Sequence, residues 1–335
     1  MTESTRRGEN EGHGRGDDGA VTKQGEITPI RILVLETDIH PHHHHPKISP
    51  SNNSSSNSTS NPESSSSTTD LTCAGKGTGS IASGFQSLLS RIGQEQHPPL
   101  KVDVSSVYVV GDEDDPSGER KAGKLPSVGE MAEFDAVLVT GSKHDAHGES
   151  GWILRLLGWL KEVWLHHPNM RFTGVCFGHQ LLSRLLGGTI SNHPTTWELS
   201  HTRITLTSTG KQIFSTDSPH IHLQQFHQDF VSTPPSPGAS DGMLEPDTHI
   251  AVWGESEDCP IQGFYVRRKL LTTQGHLGYD EAMVRENIEL AQEHGRLRRG
   301  REVERAKERS ELEHDGDLVG GAILRFLAGW DDEFE

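Results

Sequence analysis

Apolar residues in this chain come in short bursts, and the texture of each burst predicts an element. The run Pro29-Ile30-Arg31-Ile32-Leu33-Val34-Leu35-Glu36 is rich in β-branched residues and leucine, which suits a buried parallel strand. Helical spacing begins at Ile81 and continues to Ile92. Strand-like runs follow at Val102–Val110 and at Phe134–Thr140, the latter ending in Gly141-Ser142-Lys143. Residues Trp152–Leu165 place aromatic and aliphatic side chains on one stripe of a helix. The short segment Arg171–Val175 then runs almost directly into Leu181-Leu182-Ser183-Arg184-Leu185-Leu186. The order β-α-β-β-α-β-α predicts an α/β sheet with helices on both faces.

Beyond Gly187-Gly188 the pattern shortens. Trp197–Thr207 alternates, and bursts at Ile221–His227, His249–Trp253, Ile261–Val266 and Leu270–His276 predict further strands. Two final helices are expected, from Glu281 to about Glu313 and from Leu318 to Leu327. No internal repeat is present.

Composition changes this picture at two places. Only 31% of the 335 residues are hydrophobic, below the usual apolar share. The polar excess lies in residues 1–28, which hold no apolar segment of signal-peptide type, and in the Ser/Asn-rich stretch 41–80. Such sequence cannot bury enough apolar surface to offset its chain entropy. The expected organisation is therefore a disordered tail over 1–28 and one domain over 29–335, interrupted by a disordered insertion at 41–80. The net charge of −17 disfavours nucleic acid, whose phosphates call for clustered Lys and Arg. The basic residues between Arg296 and Lys307 are interleaved with Glu302 and Glu304, the pattern of a solvated helix. No apolar run approaches the ~18–20 residues of a membrane span. Three cysteines, Cys73, Cys176 and Cys259, are too few for a disulfide framework, so a reducing, cytoplasmic setting is expected.

The chemistry is concentrated in Gly174-Val175-Cys176-Phe177-Gly178-His179-Gln180. A strand that enters a helix through so tight a turn puts its apex residue in a strained conformation, and the flanking glycines remove the Cβ atoms that would clash there. The apex thiol then stands at a helix N-terminus, where unpaired N–H groups favour a thiolate. The alternative is a buried structural cysteine beside an ordinary turn. A nucleophile needs a base, and His276, at the end of an apolar burst and after Gln274-Gly275, stands where parallel sheets gather their catalysts. His227 is the rival, with Asp229 two residues on to orient it. The oxyanion donors would be the backbone N–H of Phe177 and one from Gly141-Ser142. Histidines 40 and 42–45 could bind a metal, but they lack cysteine or carboxylate partners at ligand spacing. They read as low-complexity sequence, and no metal site is expected.

Taken together, Gly-Val-Cys-Phe-Gly-His-Gln, Val139-Thr140-Gly141-Ser142-Lys143 and Gln274-Gly275-His276 resemble the class I glutamine amidotransferases, most of all free-standing fungal and plant members of the γ-glutamyl peptidase-like type. The resemblance spans roughly Ile30 to Met283 without the insertion. It implies a flavodoxin-like three-layer sandwich with a mixed, mainly parallel central sheet. It also implies that Cys176 attacks the amide of glutamine or of a γ-glutamyl compound through a thioester, with no cofactor. Gln180 and His227 would line the substrate, and a separate synthase could receive the ammonia. One departure matters. The family's His-Pro-Glu is His276-Leu277-Gly278 here; positions i and i+2 of a strand face the same way, so the triad carboxylate is missing. Asp280 could replace it if the chain curls back. Without a replacement, the chain would be a weakened enzyme, or a binder of γ-glutamyl ligands or of a protein partner. A third reading is a cysteine hydrolase of similar fold acting on another carbonyl.

Overall fold

A computed structural model describes residues 28–38, 80–111, 114, 121–193 and 196–334. The expected tail and insertion, Cys73 and the histidine run therefore lie outside the described residues, apart from Thr28 and Ser80. Ser80 caps the first helix, its Oγ accepting from the Ser83 N–H at 3.1 Å.

In chain order the principal elements are β1 (Ile30–Glu36), α1 (Ile81–Gln94), β2 (Val102–Tyr108), β3 (Ala136–Val139), α2 (Gly151–His166), β4 (Arg171–Val175), α3 (Phe177–Leu185), β5 (Thr189–Asn192) and β6 (Glu198–Leu206). They continue with α4 (Ser208–Ile213), β7 (His220–His227), β8 (Asp229–Thr233), β9 (Ala251–Glu255), β10 (Gly263–Val266), β11 (Leu270–Thr273), α5 (Glu281–Glu293), α6 (Arg301–Arg309) and α7 (Gly316–Leu327). Nine strands form one sheet in the order β2-β1-β3-β4-β11-β10-β9-β6-β7, and β5 pairs with β8 separately.

Strand direction decides where chemistry can gather. β2, β1, β3, β4 and β11 are mutually parallel. Each step through β10, β9, β6 and β7 is antiparallel, so β9 and β7 run with the parallel set while β10 and β6 run against it. The ends of β1, β3, β4, β7 and β11 thus share one edge with the starts of β6 and β10. A single bridge pairs Gln224 of β7 with His276, whose N–H donates to the Gln224 carbonyl at 2.9 Å. The antiparallel half of the sheet therefore curls back over that edge.

Alternation on β1 splits the core into two layers, as expected of a doubly covered sheet. Leu33 and Leu35 pack with α2 and α3, through Trp152, Leu156, Leu160 and Leu181. Ile32 and Val34 pack with α1 and α7, through Leu89, Ile92, Val319 and Ile323. This is the expected three-layer sandwich. The long final helix expected from Glu281 to Glu313 is instead two, α5 and α6. Gly295 adopts φ +70° after α5, a left-handed conformation that glycine tolerates and that ends a helix. The α5–α6 pair forms a third apolar cluster over β6, from Leu199, Val284, Ile288, Val303 and Ala306, against which Tyr279 packs. No helix among the described residues is long and apolar enough to cross a membrane.

Candidate active site

Cys176 sits between β4 and α3 at φ 53°, ψ −108°, a conformation that costs a non-glycine residue of order 1–3 kcal/mol. Its surroundings hold it there. The Cys176 N–H donates to the Thr273 carbonyl at 2.9 Å, and the Gly178 N–H to the Thr140 carbonyl at 3.1 Å. A methyl group on Gly178 would lie 2.1 Å from the Val139 carbonyl oxygen, and one on Gly174 would lie 2.5 Å from the Gly178 carbonyl carbon. Only hydrogen fits at either place, so the turn is locked between β3 and β11.

Gly141 lies between the sulfur-bearing residue and the imidazole. A Cβ built on it would be 3.3 Å from His276 Cε1 and 3.6 Å from Cys176 Cβ. The loop that carries Gly141 is pinned by side chains. Thr37 Oγ1 donates to the Gly141 carbonyl at 3.0 Å, and Ser142 Oγ donates to the Thr37 carbonyl at 2.6 Å while accepting from the His144 N–H at 3.1 Å. The Ser142 hydroxyl is thus committed to holding the loop. What the loop can offer a reacting oxyanion is backbone N–H, beside the Phe177 N–H that lies against the Cys176 sulfur.

Electrostatics departs from the sequence expectation of a thiolate. Cys176 and His276 are each 6% exposed. Burial pushes the Cys176 thiol up to about 12; the Phe177 N–H opposes this and the Asp229 charge adds to it. Burial takes the His276 imidazole down to about 3, and the charge on His227 acts in the same direction. The resting pair is a neutral thiol beside a neutral imidazole, because dehydrating an ion outweighs the dipole of a nine-residue helix.

Asp280 does not reach the imidazole. It is exposed and caps α5, its Oδ1 accepting from the Met283 N–H at 2.8 Å, while His276 Nε2 is buried without a partner. A free helix N-terminus competes for the carboxylate and wins. The His276 ring is instead covered by Tyr279, stacked at 3.8 Å between centroids and 12° between planes.

His227, buried at the end of β7, is bound to a carboxylate that sequence reasoning missed. Its Nε2 lies 2.8 Å from Glu198 Oε2, and its Nδ1 lies 3.0 Å from the carbonyl oxygen of Asp229. The expected orienting group, the Asp229 carboxylate, instead accepts from Asn192. Glu198 also accepts from Ser256 Oγ and, at 2.9 Å, from Gln262 Nε2. A charged residue starting the alternating segment after Trp197, in a buried phase, was the available signal. Gln180 donates Nε2 protons to the Asp229 carbonyl at 2.7 Å and to Gln274 Oε1 at 3.0 Å, and the Gln274 amide lies against the Cys176 sulfur. Glu198, His227 and Cys259 bring potential metal-ligand atoms within 4.8 Å of one another. Those atoms are already bonded within the protein, Cys259 Sγ to the Ile261 carbonyl at 3.4 Å, and the donors of Ser256 and Gln262 point in where a cation would stand.

Residues 157–281 match the family model described as glutamine amidotransferase class-I. The chain is 31% identical over 208 residues to a glutamine amidotransferase-like protein of Schizosaccharomyces pombe, covering 60% of this chain and 75% of that one. It is 28% identical over 171 residues to gamma-glutamyl peptidase 2 of Arabidopsis thaliana, covering 50% and 62%. The crystal structure of a glutamine amidotransferase from Thermotoga maritima superposes with a TM-score of 0.52 at 15% identity, covering 92% of this chain and 99% of that one, a likeness of fold.

Proposed function

The chain belongs to the class I glutamine amidotransferase family, and from that premise we propose that it is a cysteine hydrolase cleaving the side-chain amide of glutamine or the γ-amide of a γ-glutamyl compound. The observation that carries the proposal is the strained Cys176 apex, held beside His276 with Gly141 between them. His276, neutral at rest, takes the thiol proton as Cys176 Sγ bonds to the amide carbon. The oxyanion is received by the Phe177 N–H and the Gly141–Ser142 backbone. The same proton passes to the departing nitrogen, leaving a thioester. Water then attacks the thioester, losing a proton through His276, and releases glutamate while the thiol is restored. Gln180 and His227 line the substrate side. The leaving group is ammonia or an amine, released to solvent or taken by a separate synthase.

A second reading rests on one feature: His276 Nε2, which would face the triad carboxylate, is buried and unpartnered. On that reading the site binds a γ-glutamyl ligand without turning it over. Purified protein incubated with glutamine and with γ-glutamyl dipeptides separates the two. Glutamate release that vanishes in Cys176→Ala supports the hydrolase. Binding without release, and no labelling of Cys176 by a glutamine-derived chloroketone, supports the binder.

A further inference from the structure

The most unusual charge at this edge of the sheet belongs to neither Cys176 nor His276. His227 presents Nδ1 to a peptide carbonyl at 3.0 Å and Nε2 to a carboxylate oxygen at 2.8 Å. A carbonyl oxygen can only accept. Glu198 also acts as an acceptor: the Ser256 hydroxyl and, at 2.9 Å, Gln262 Nε2 both donate to its carboxylate oxygens. A ring between two acceptors needs a proton on both nitrogens. We infer that His227 carries a proton on both ring nitrogens and is a positioning residue, the Glu198–His227 pair fixing the Asp229 carbonyl and, through Gln180, the amide of Gln274 at the nucleophile.

The inference rests on the hydrolase reading for its catalytic meaning and on hydrogen-bond geometry for the charge itself. The pair is nearly dry, its side chains 5% and 6% exposed, so its field is weakly screened. Its two ends differ in position. Burial holds His276 and His179 low and the His227 charge adds to this; Glu198 stands on the far side, against Ser256, Gln262 and Cys259. The other ionisable group facing the pair is Asp229, whose carboxylate is turned to Asn192. A positive His227 disfavours a second charge on His276, so the pair serves the site through geometry rather than through its charge. The Asp229 carbonyl accepts from both His227 Nδ1 and Gln180 Nε2, and Gln180 fixes the Gln274 amide beside the sulfur. Losing the Nδ1 proton would turn one of those attractions into lone-pair repulsion.

The test uses the full chain with ¹⁵N-labelled histidine, the His227 signals being assigned by their loss in His227→Gln. Two ring protons on His227 at neutral pH are expected; a single ring proton there overturns the proposal. In Glu198→Gln the ring should carry one proton, and alkylation of Cys176 by iodoacetamide at fixed pH should slow about tenfold, the equivalent of roughly one pH unit. A ring that loses its proton while Cys176 alkylation stays unchanged would make the pair structural and overturn the positioning role. If Glu198→Gln does not fold, the wild-type spectrum still decides the charge. Absence of glutamate release from the wild-type protein would count against the hydrolase, and the histidine spectrum would be read independently of it.

Discussion

Replacing Gly178 by alanine tests the elbow with the smallest possible change. The new methyl carbon would stand 2.1 Å from the Val139 carbonyl oxygen, where an ordinary contact is 3.4 Å or more. The shortfall is about 1.3 Å, and the obstructing atom belongs to the backbone of β3, which is fixed in the sheet by β1 and β4. The first turn of α3 must therefore move by about 1 Å, taking the Phe177 N–H and the Cys176 sulfur with it. Overpacking of this kind costs roughly 1–3 kcal/mol, or roughly 2–12 °C in midpoint for a domain of this size. A displacement near 1 Å at reacting groups costs on the order of 10²-fold in rate.

Gly158→Ala is the matched control. That residue is exposed in the middle of α2 with open space around its Cα, so alanine should stabilise by about 0.5–1 kcal/mol through helix propensity and leave turnover alone. The assays are thermal unfolding, glutamate release and the rate of chloroketone labelling at Cys176. Gly178→Ala retaining both the stability and the labelling rate of Gly158→Ala would refute the claim that the elbow is locked from both sides.

Three further outcomes are expected. Because burial pushes the Cys176 thiol up to about 12, its thiolate fraction, and hence its alkylation rate, should climb about tenfold per pH unit from pH 6 to 10; a plateau near neutrality would contradict the neutral resting pair. Asp280→Ala should lower stability by about 1 kcal/mol through loss of the α5 cap without changing kcat, and a tenfold fall in turnover would restore Asp280 to the triad. Gly278→Glu, alone or with Leu88→Ala, should raise kcat at least roughly tenfold by giving His276 Nε2 an acceptor. The Leu88 change answers the 3.2 Å approach of its Cδ2 to a Cβ at position 278, and no gain in either background would show that the carboxylate is not what the site lacks.

The fold was legible where a local pattern carries it. Alternation splits β1 between two layers whatever its neighbours are, so strands and helices could be placed before their partners were known. The break between α5 and α6 was harder, because charged residues continue at helical spacing through Arg296–Lys307 and hide it. Gly295 was the signal, but a glycine marks a helix end only when its backbone turns left-handed. β5 and β8 are four and five residues long and mostly half-exposed, so they carry little alternation to read.

The site divides in the same way. Cys176 is written into one heptapeptide because its strain and its glycines are local. Its protonation was misjudged because burial is a property of the whole sheet edge, not of the helix start beside it. Glu198 was missed for a topological reason. It lies 29 residues before His227, and the two meet because β6 runs against β7, placing the start of one strand beside the end of the other. The same reversal at β10 delivers Gln262 to the carboxylate. A parallel sheet alone would bring only strand ends to this edge. Folding two reversed strands into it adds strand beginnings, and with them a carboxylate that no spacing rule around His276 would find.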